Sequence, residues 1–430
     1  MGTLAEAILT EQIEETVEGL GPLELVVGIP SYNNVSTIGQ VVKAAQAGLA
    51  SYFGNRKALI VNPDADSNDG TPEAVESART EGNDALLRVK YLLEPVHRLT
   101  TPYHGLPGKG SAFRTLFQIV QATQARALAV VEADLRSVTP EWFKSLLEPI
   151  LSLDFDYVAP FYQRHKYDGT MTNSIVYPLL RALYGRRVRQ PIGGEFGISG
   201  RLASHFLKDQ VWNSDVARFG IDIWMTTTAI ADNFKVCQSH LGAKVHEAEE
   251  QGLDLSAVLV QVVGSVFSLM ETHDLAWRNV LGSLPVPLLG SPFGIKPESA
   301  SINLQRALAS FQQGVRDLLP VYEQVFLPKQ LKNLQSCAAQ PPDQISLDDE
   351  LWVSLIYDLA LAYHRRVMDR EHLLKSLAPL YLGWVASFAR QTDSAPDPLA
   401  ERRIERLCLV YEQLKPYLIN QWPLAGREKR

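Results

Sequence analysis

Cysteine is scarce in this chain: Cys237, Cys337 and Cys408 are the only three among 430 residues, and no two of them form a CxxC pair. That excludes a disulfide framework and a cysteine zinc site, and it fits structural thiols in a reducing cytosol. A surplus of positive charge is also missing. With 41 Lys and Arg against 48 Asp and Glu the net charge is -7, so the cationic excess that drives phosphate-backbone binding is absent and no nucleic-acid partner is expected. Nor is there an unbroken run of about 20 apolar residues, because the most apolar stretch, Leu253 to Met270, is interrupted by polar side chains. No integral membrane segment is expected. The N-terminus has no basic stretch followed by an apolar one, and Leu4 to Leu20 reads as an acidic amphipathic helix. These absences together predict a cytoplasmic protein.

The first 250 residues or so alternate short β-branched runs with helical patterns, the signature of parallel βαβ units. Strands are expected at Leu25 to Ile29, Ala58 to Asn62, Val89 to Leu93, Ala127 to Glu132 and Asp156 to Phe161. Helices are expected at Ser36 to Ala50, after Thr71, at Ser111 to Ala125 and at Thr172 to Tyr184. Pro285, Pro287, Pro292 and Pro297 crowd the stretch from Leu281 to Ser299, which reads as a linker. Beyond it Ile302 to Leu319, Leu351 to Met368, His372 to Arg390 and Ala400 to Leu418 show helical apolar spacing with no strand pattern. An α/β domain followed by a helical C-terminal region is the expected architecture.

In open parallel sheets ligands collect at the carboxyl ends of the strands, so the residues just after each apolar run carry the functional question. Polar residues gather there. Ser31, Tyr32 and Asn33 follow the first strand, Asp64, Asp66 and Asp69 the second, and Glu132 and Asp134 a later one. Two carboxylates two residues apart, as in Glu132-Ala133-Asp134, suit a hard divalent cation that also grips phosphate oxygens. Pro107-Gly108-Lys109-Gly110 ahead of a helix aims backbone amides and an ammonium at an anion. It is not a Walker A loop, because Gly110 stands where Ser or Thr should follow the lysine.

Pro30-Ser31-Tyr32-Asn33, Asp64 within an Asp-rich turn, Pro107-Gly108-Lys109-Gly110 and Glu132-Ala133-Asp134 occur in an order that resembles the GT-A nucleotide-sugar glycosyltransferases. Gln190-Pro191-Ile192-Gly193-Gly194-Glu195, Arg218-Phe219-Gly220-Ile221-Asp222 and Gly242-Ala243-Lys244-Val245-His246 resemble its retaining subgroup, which includes mannosylglycerate, glucosylglycerate and glucosyl-3-phosphoglycerate synthases. The resemblance spans residues 24 to 275 with ordered motifs, and the helical C-terminal region more loosely.

It implies a GT-A domain at residues 23–280, preceded by an N-terminal helix at 1–22 and followed by a Pro-rich linker at 281–300 and a helical region at 301–430. It also implies a metal-dependent transfer of a hexose, glucose foremost, from a GDP-, UDP- or ADP-hexose to D-glycerate, with Mg²⁺ or Mn²⁺ as cofactor. Glucosyl or mannosyl transfer to 3-phosphoglycerate, and inverting transfer to another acceptor, stay open as alternatives. A homodimer is compatible with the sequence, which fixes no oligomeric state.

Residue by residue, the resemblance puts Asp134 and His246 on the metal. Pro30, Tyr32, Asn33, Asp64, Lys109, Glu132 and Gly194 would line the nucleotide-sugar site, and Glu195 and Asp222 the catalytic pocket. Glu132 departs from the family's usual first aspartate. Its extra methylene favours ribose or a metal-bound water over the metal, and its role stays open. Arg164, Asp168 and Thr172, at spacing four, resemble the acceptor loop, where an arginine fork suits a carboxylate. The stretch from Lys166 to Thr172 carries one lysine and an aspartate that repels a phosphate dianion, so unphosphorylated glycerate is the expected acceptor.

Overall fold

Short apolar runs are what a parallel sheet covered on both faces requires. The computed structural model of the protein describes residues 11–79, 85–91, 108–213, 220–246, 255–293, 297, 301–393 and 395–422. It contains an eight-stranded sheet. The strands are β1 (Leu25–Gly28), β2 (Ala58–Asp64), β3 (Ala85–Lys90), β4 (Ala127–Val130), β5 (Tyr157–Gln163), β6 (Phe196–Ser199), β7 (Val236–Ala243) and β8 (Leu288–Leu289).

Their order is β8-β7-β5-β6-β4-β1-β2-β3, parallel throughout except at β6, which runs antiparallel to β4 and β5. Val27 at the centre pairs with Ile60 on one side and Ala129 on the other. From β1 the chain builds outward to β2 and β3 in one direction and to β4 in the other, so the carboxyl ends of β1 and β4 flank a topological switch point. The helices Ile38–Phe53 and Pro140–Leu153 cover one face, burying Val41, Val42, Phe143, Leu146 and Leu147 in one cluster with Val27, Ile60 and Ala129.

The chain divides into two compact units. The first takes residues 1–163, 188–252 and 286–297 and holds the sheet; the second takes residues 164–187, 253–285 and 298–430 and is mainly helical. Two segments that a linear reading assigns before residue 280 thus belong with the C-terminal helices. The Pro-rich stretch expected as a linker contains β8 and a second short strand, Leu284–Pro285, which pairs with Arg186–Arg187. The expected α/β class and helical C-terminal region are what the structure contains.

In the second unit, helices Leu304–Asp317 and Leu377–Thr392 approach closely at small residues. A Cβ on Gly383 would lie 2.5 Å from the Phe311 ring, and one on Gly314 2.3 Å from Pro379. The segment expected as a single helix from Thr172 to Tyr184 is instead a π-turn, Thr172–Val176, running into an α-helix, Tyr177–Tyr184. Pro178 is the reason. It has no N–H for the Ser174 carbonyl four residues back, and that carbonyl accepts instead from Trp352 Nε1 at 3.1 Å and Tyr411 OH at 2.9 Å.

Likewise the expected helix from His372 to Arg390 breaks at Ser376 into Arg370–Lys375 and Leu377–Thr392, where Tyr322 OH donates to the Ser376 carbonyl at 2.8 Å. Among the described residues one helix, Leu255–Thr272, is long and apolar enough to cross a membrane, and it is mostly buried, with Leu259, Val263, Phe267 and Met270 inaccessible.

Candidate active site

Positions flanking three strands and the starts of two helices bring charged side chains into the first unit's interior. Lys109 opens the helix Lys109–Ala122, and Asp222 is the second residue of the helix Ile221–Ala231. Glu132 follows β4, Glu195 immediately precedes β6, and Lys244 follows β7. All five are buried.

They form a chain of alternating charge. Lys109 Nζ donates to Asp222 Oδ2 and to Glu132 Oε1, both at 2.9 Å. Lys244 Nζ takes the other Glu132 oxygen, Oε2, at 2.7 Å, and also Glu195 Oε2 at 2.9 Å and the Gly193 carbonyl at 2.6 Å. Tyr162 OH, from the end of β5, closes the chain on Glu195 Oε2. Neighbouring contacts hold the parts in place. The Gln190 amide pairs with the backbone of Tyr162, while Thr226 Oγ1 donates to the Pro191 carbonyl at 2.7 Å and so ties the Asp222 helix to the Gln190–Glu195 loop.

Burial pushes the Glu195 carboxyl up to about 7 against the pull of Lys244, and burial likewise raises Asp222 against Lys109. For Lys109 burial alone would favour the neutral amine, but Asp222 and Glu132 outweigh it and hold the ammonium charged. Three buried carboxylates face two ammoniums, and the neighbouring Glu132 adds to the upward push of burial on Glu195.

Beside this chain stands a group of metal-ligand type. Glu132, Asp134 and His246 each offer one atom, and these three atoms lie within 4.8 Å of one another. An antiparallel bridge between Leu135 and His246, with Arg136 N donating to the Val245 carbonyl at 2.9 Å, sets the register that brings His246 Nδ1 to 3.1 Å from Asp134 Oδ2. Asp134 Oδ1 is buried and has no hydrogen-bond partner among the described residues. Two carboxylates and an imidazole with an unsatisfied buried oxygen fit Mg²⁺ or Mn²⁺. Glu195 Oε1 and Asp222 Oδ1 are buried and unsatisfied in the same way, as expected of acceptors for ligand hydroxyls.

The remaining predicted donor-site residues lie at the ends of β1 and β2. Asp64 Oδ2 accepts from Ser31 Oγ at 2.8 Å and from Ser67 Oγ at 2.7 Å, and its Oδ1 accepts from Ser67 N at 2.8 Å. Asn33 is in the left-handed region with φ 52°, its N donating to Ser67 Oγ at 2.9 Å, so the two strand-end turns are laced together. Pro30 is buried and Tyr32 packs on Ala65, Tyr91 and Ala112. Pro107, Arg218 and Phe219 lie outside the described residues.

Glu132, whose role the sequence left open, sits at the centre of the charged chain with each oxygen on a lysine. Gly194 closes over it: with φ 93° and a would-be Cβ 2.6 Å from the Glu132 carboxylate, this position admits only glycine. Gly194→Ala is therefore expected to cost about 1–3 kcal/mol in urea unfolding and to displace Glu132. An unchanged unfolding midpoint would contradict that.

Arg164, Asp168 and Thr172 belong to the second unit. There Arg164 NH1 lies 3.7 Å from Asp168 Oδ1 and Thr172 opens the π-turn. No expectation from the sequence gives Lys244 or Tyr162 a role in the site. Lys244 was within reach, since it sits inside the Gly242 to His246 motif; Tyr162 carried no signal beyond its place at a strand end.

A scan against protein-family models and a search of curated proteins both find no match. Among solved structures the chain is similar to glucosyl-3-phosphoglycerate synthase from Mycobacterium tuberculosis in complex with Mn²⁺, UDP and glucosyl-3-phosphoglycerate, at 20% identity over 63% of this chain and 87% of that one, with a TM-score of 0.42. The same enzyme with Mg²⁺ and UDP gives 20% identity, 63% and 85% coverage and a TM-score of 0.42. With Mn²⁺, UDP-glucose and phosphoglyceric acid the values are 20%, 67%, 96% and 0.42.

Proposed function

We propose that this protein is a metal-dependent, retaining hexosyltransferase that moves a hexose, glucose in the first instance, from a nucleoside diphosphate sugar to D-glycerate. One observation carries the reading. The buried sequence Asp222, Lys109, Glu132, Lys244, Glu195 stands beside an Asp134–His246 pair, and each of Asp134, Glu195 and Asp222 keeps a buried oxygen without a partner among the described residues.

Asp134 and His246, with Glu132 behind them, would hold the divalent ion. The ion supplies Lewis-acid neutralisation of the departing diphosphate. Lys109, kept protonated by its carboxylates, adds fixed positive charge in a site shielded from water, where preorganised electrostatics lowers a barrier most. Asp222 Oδ1 and Glu195 Oε1 accept bonds from sugar hydroxyls and fix the ring. Asp64, held rigid by Ser31 and Ser67, presents a carboxylate to the nucleoside. Glu195 is tied to Lys244 and Tyr162, which suits a positioning role better than nucleophilic attack, so attack by the acceptor hydroxyl on the departing face, with phosphate as base, is the simplest retaining route.

Glycerate is favoured over 3-phosphoglycerate by what Lys166 does. Its ammonium gives its protons to three backbone carbonyls, those of Thr392, Asp393 and Ala395, and is committed to them rather than to a phosphate. Arg164 is the residue for the glycerate carboxylate. Arg164→Ala should lower kcat/KM for glycerate by about 10²-fold, because truncating one partner of a charged pair strands the other, and should leave donor hydrolysis unchanged.

The whole proposal is tested by a grid of UDP-, GDP- and ADP-hexoses against glycerate, 3-phosphoglycerate and glycerol, with and without chelator, read by product mass. Hexosylglycerate formed only with divalent metal is the expected result. No transfer from any of these donors to any acceptor would overturn it.

A further inference from the structure

The segment read as the acceptor loop, residues 164–172, has two sets of side chains. Arg164, Asp168 and Thr172 are those assigned to the acceptor. Lys166, Tyr167 and Thr170 are spent on the C-terminal helices of the same unit. Lys166 Nζ donates at 2.6 Å to the Thr392 carbonyl, at 2.8 Å to that of Asp393 and at 2.9 Å to that of Ala395. An ammonium has three protons, and three carbonyls converge on it. These carbonyls lie at and just past the end of the helix Leu377–Thr392, where unsatisfied C=O groups and the helix dipole both favour a cation.

Two further ties lead to the same helix. Tyr167 OH donates to the Ala389 carbonyl at 3.2 Å, with its ring edge-on to Phe388, and Thr170 Oγ1 shares a 2.5 Å hydrogen bond with Tyr381 OH. Within the loop Gly169, at φ 64°, leaves room for Arg164: a Cβ there would sit 2.9 Å from its NH1 atom.

We infer that Lys166 is a positioning residue for acceptor binding, and that a function of the C-terminal helical region is to hold the acceptor loop in its binding shape through Lys166, Tyr167 and Thr170. This rests on the acceptor role proposed above for residues 164–172. A loop pinned at three points loses less conformational freedom when it closes on a small acid, so the effect of the pin appears in acceptor affinity.

The test compares Lys166→Ala and Tyr381→Phe with Arg164→Ala in the full-length protein, measuring glycerate KM, kcat, donor hydrolysis without acceptor, and thermal unfolding. Tyr381→Phe keeps the ring and removes only the hydroxyl tie, so it reports on the helix even if Lys166→Ala fails to fold. The expected result is a glycerate KM raised about tenfold or more by Lys166→Ala and about threefold by Tyr381→Phe, with kcat changed less and donor hydrolysis as in the wild type. If Arg164→Ala weakens glycerate while both tether variants keep the wild-type KM, the inference is wrong and the acceptor reading stands. If Arg164→Ala also leaves glycerate kinetics unchanged, the acceptor reading itself has failed, and the inference falls with it.

Discussion

Lys244→Met should destabilise the protein by about 3–5 kcal/mol in urea unfolding and abolish transfer, the largest structural effect expected of any single change in the site. The Lys244 ammonium is almost inaccessible and binds Glu132, Glu195 and the Gly193 carbonyl. Methionine fills similar volume but leaves two carboxylates facing each other in a medium that cannot solvate them. The loss should therefore be smaller at pH 5 than at pH 8, because at the lower pH one of the pair can take up a proton.

Glu195 in the wild type has the same sign. Burial pushes its carboxyl up to about 7 from an ordinary 4.5, so between those values the folded state holds a proton that the unfolded state has released. The stability from this proton is present below about 4.5 and is lost as pH rises to about 7. Adding Glu195→Gln to Lys244→Met should recover part of the loss by removing one of the stranded charges. Equal unfolding midpoints for Lys244→Met and wild type at pH 8 would refute the account of the buried chain.

The second large effect is catalytic. On the proposed function, Asp134→Ala should lower kcat/KM by about 10³-fold in Mg²⁺ or Mn²⁺, since an ion held there would supply several kcal/mol of leaving-group stabilisation. His246→Ala should raise the metal concentration needed for half-maximal rate. Asp134 lies outside the alternating lysine and carboxylate chain, so Asp134→Ala should keep a near-normal unfolding midpoint, the reverse of Lys244→Met. Steady-state rates across a metal titration, alongside urea curves for both variants, separate the two roles. Wild-type rates in Asp134→Ala would remove the ion from this position.

How much of this was legible in the sequence differs between strands and site. Leu25-Val26-Val27 and Ala127-Leu128-Ala129-Val130 announce themselves because strands buried on both faces are continuously apolar. Phe196–Ser199 and Val236–Ala243 do not. The first is four residues with a glycine, and the second carries Gln238, Ser239 and His240, polar residues that only tertiary context accommodates. The π-turn at Thr172 was hidden because its cause, Pro178, is compensated from residues as distant as Trp352 and Tyr411.

In the site, Glu132, Asp134 and His246 are brought together as a potential ligand group, as are Lys109 and Asp222 as an ion pair. What no local pattern reveals is that Glu132 is shared between two lysines. That depends on Lys109 and Lys244 arriving from segments 135 positions apart, a numbering difference of 244 − 109. The separate grouping of residues 164–187 with the C-terminal helices was equally illegible, since spacing within the segment says nothing about which unit it joins.

The most direct test of the central claim is Mn²⁺ binding followed by electron paramagnetic resonance, with UDP, GDP or ADP present at saturating concentration. The account predicts that the wild-type protein binds the ion with at least one of the three nucleotides, that Asp134→Ala loses that binding, that His246→Ala weakens it, and that Arg164→Ala keeps it. Wild-type Mn²⁺ affinity in Asp134→Ala, or no Mn²⁺ bound by the wild type with any of the three diphosphates, would contradict it.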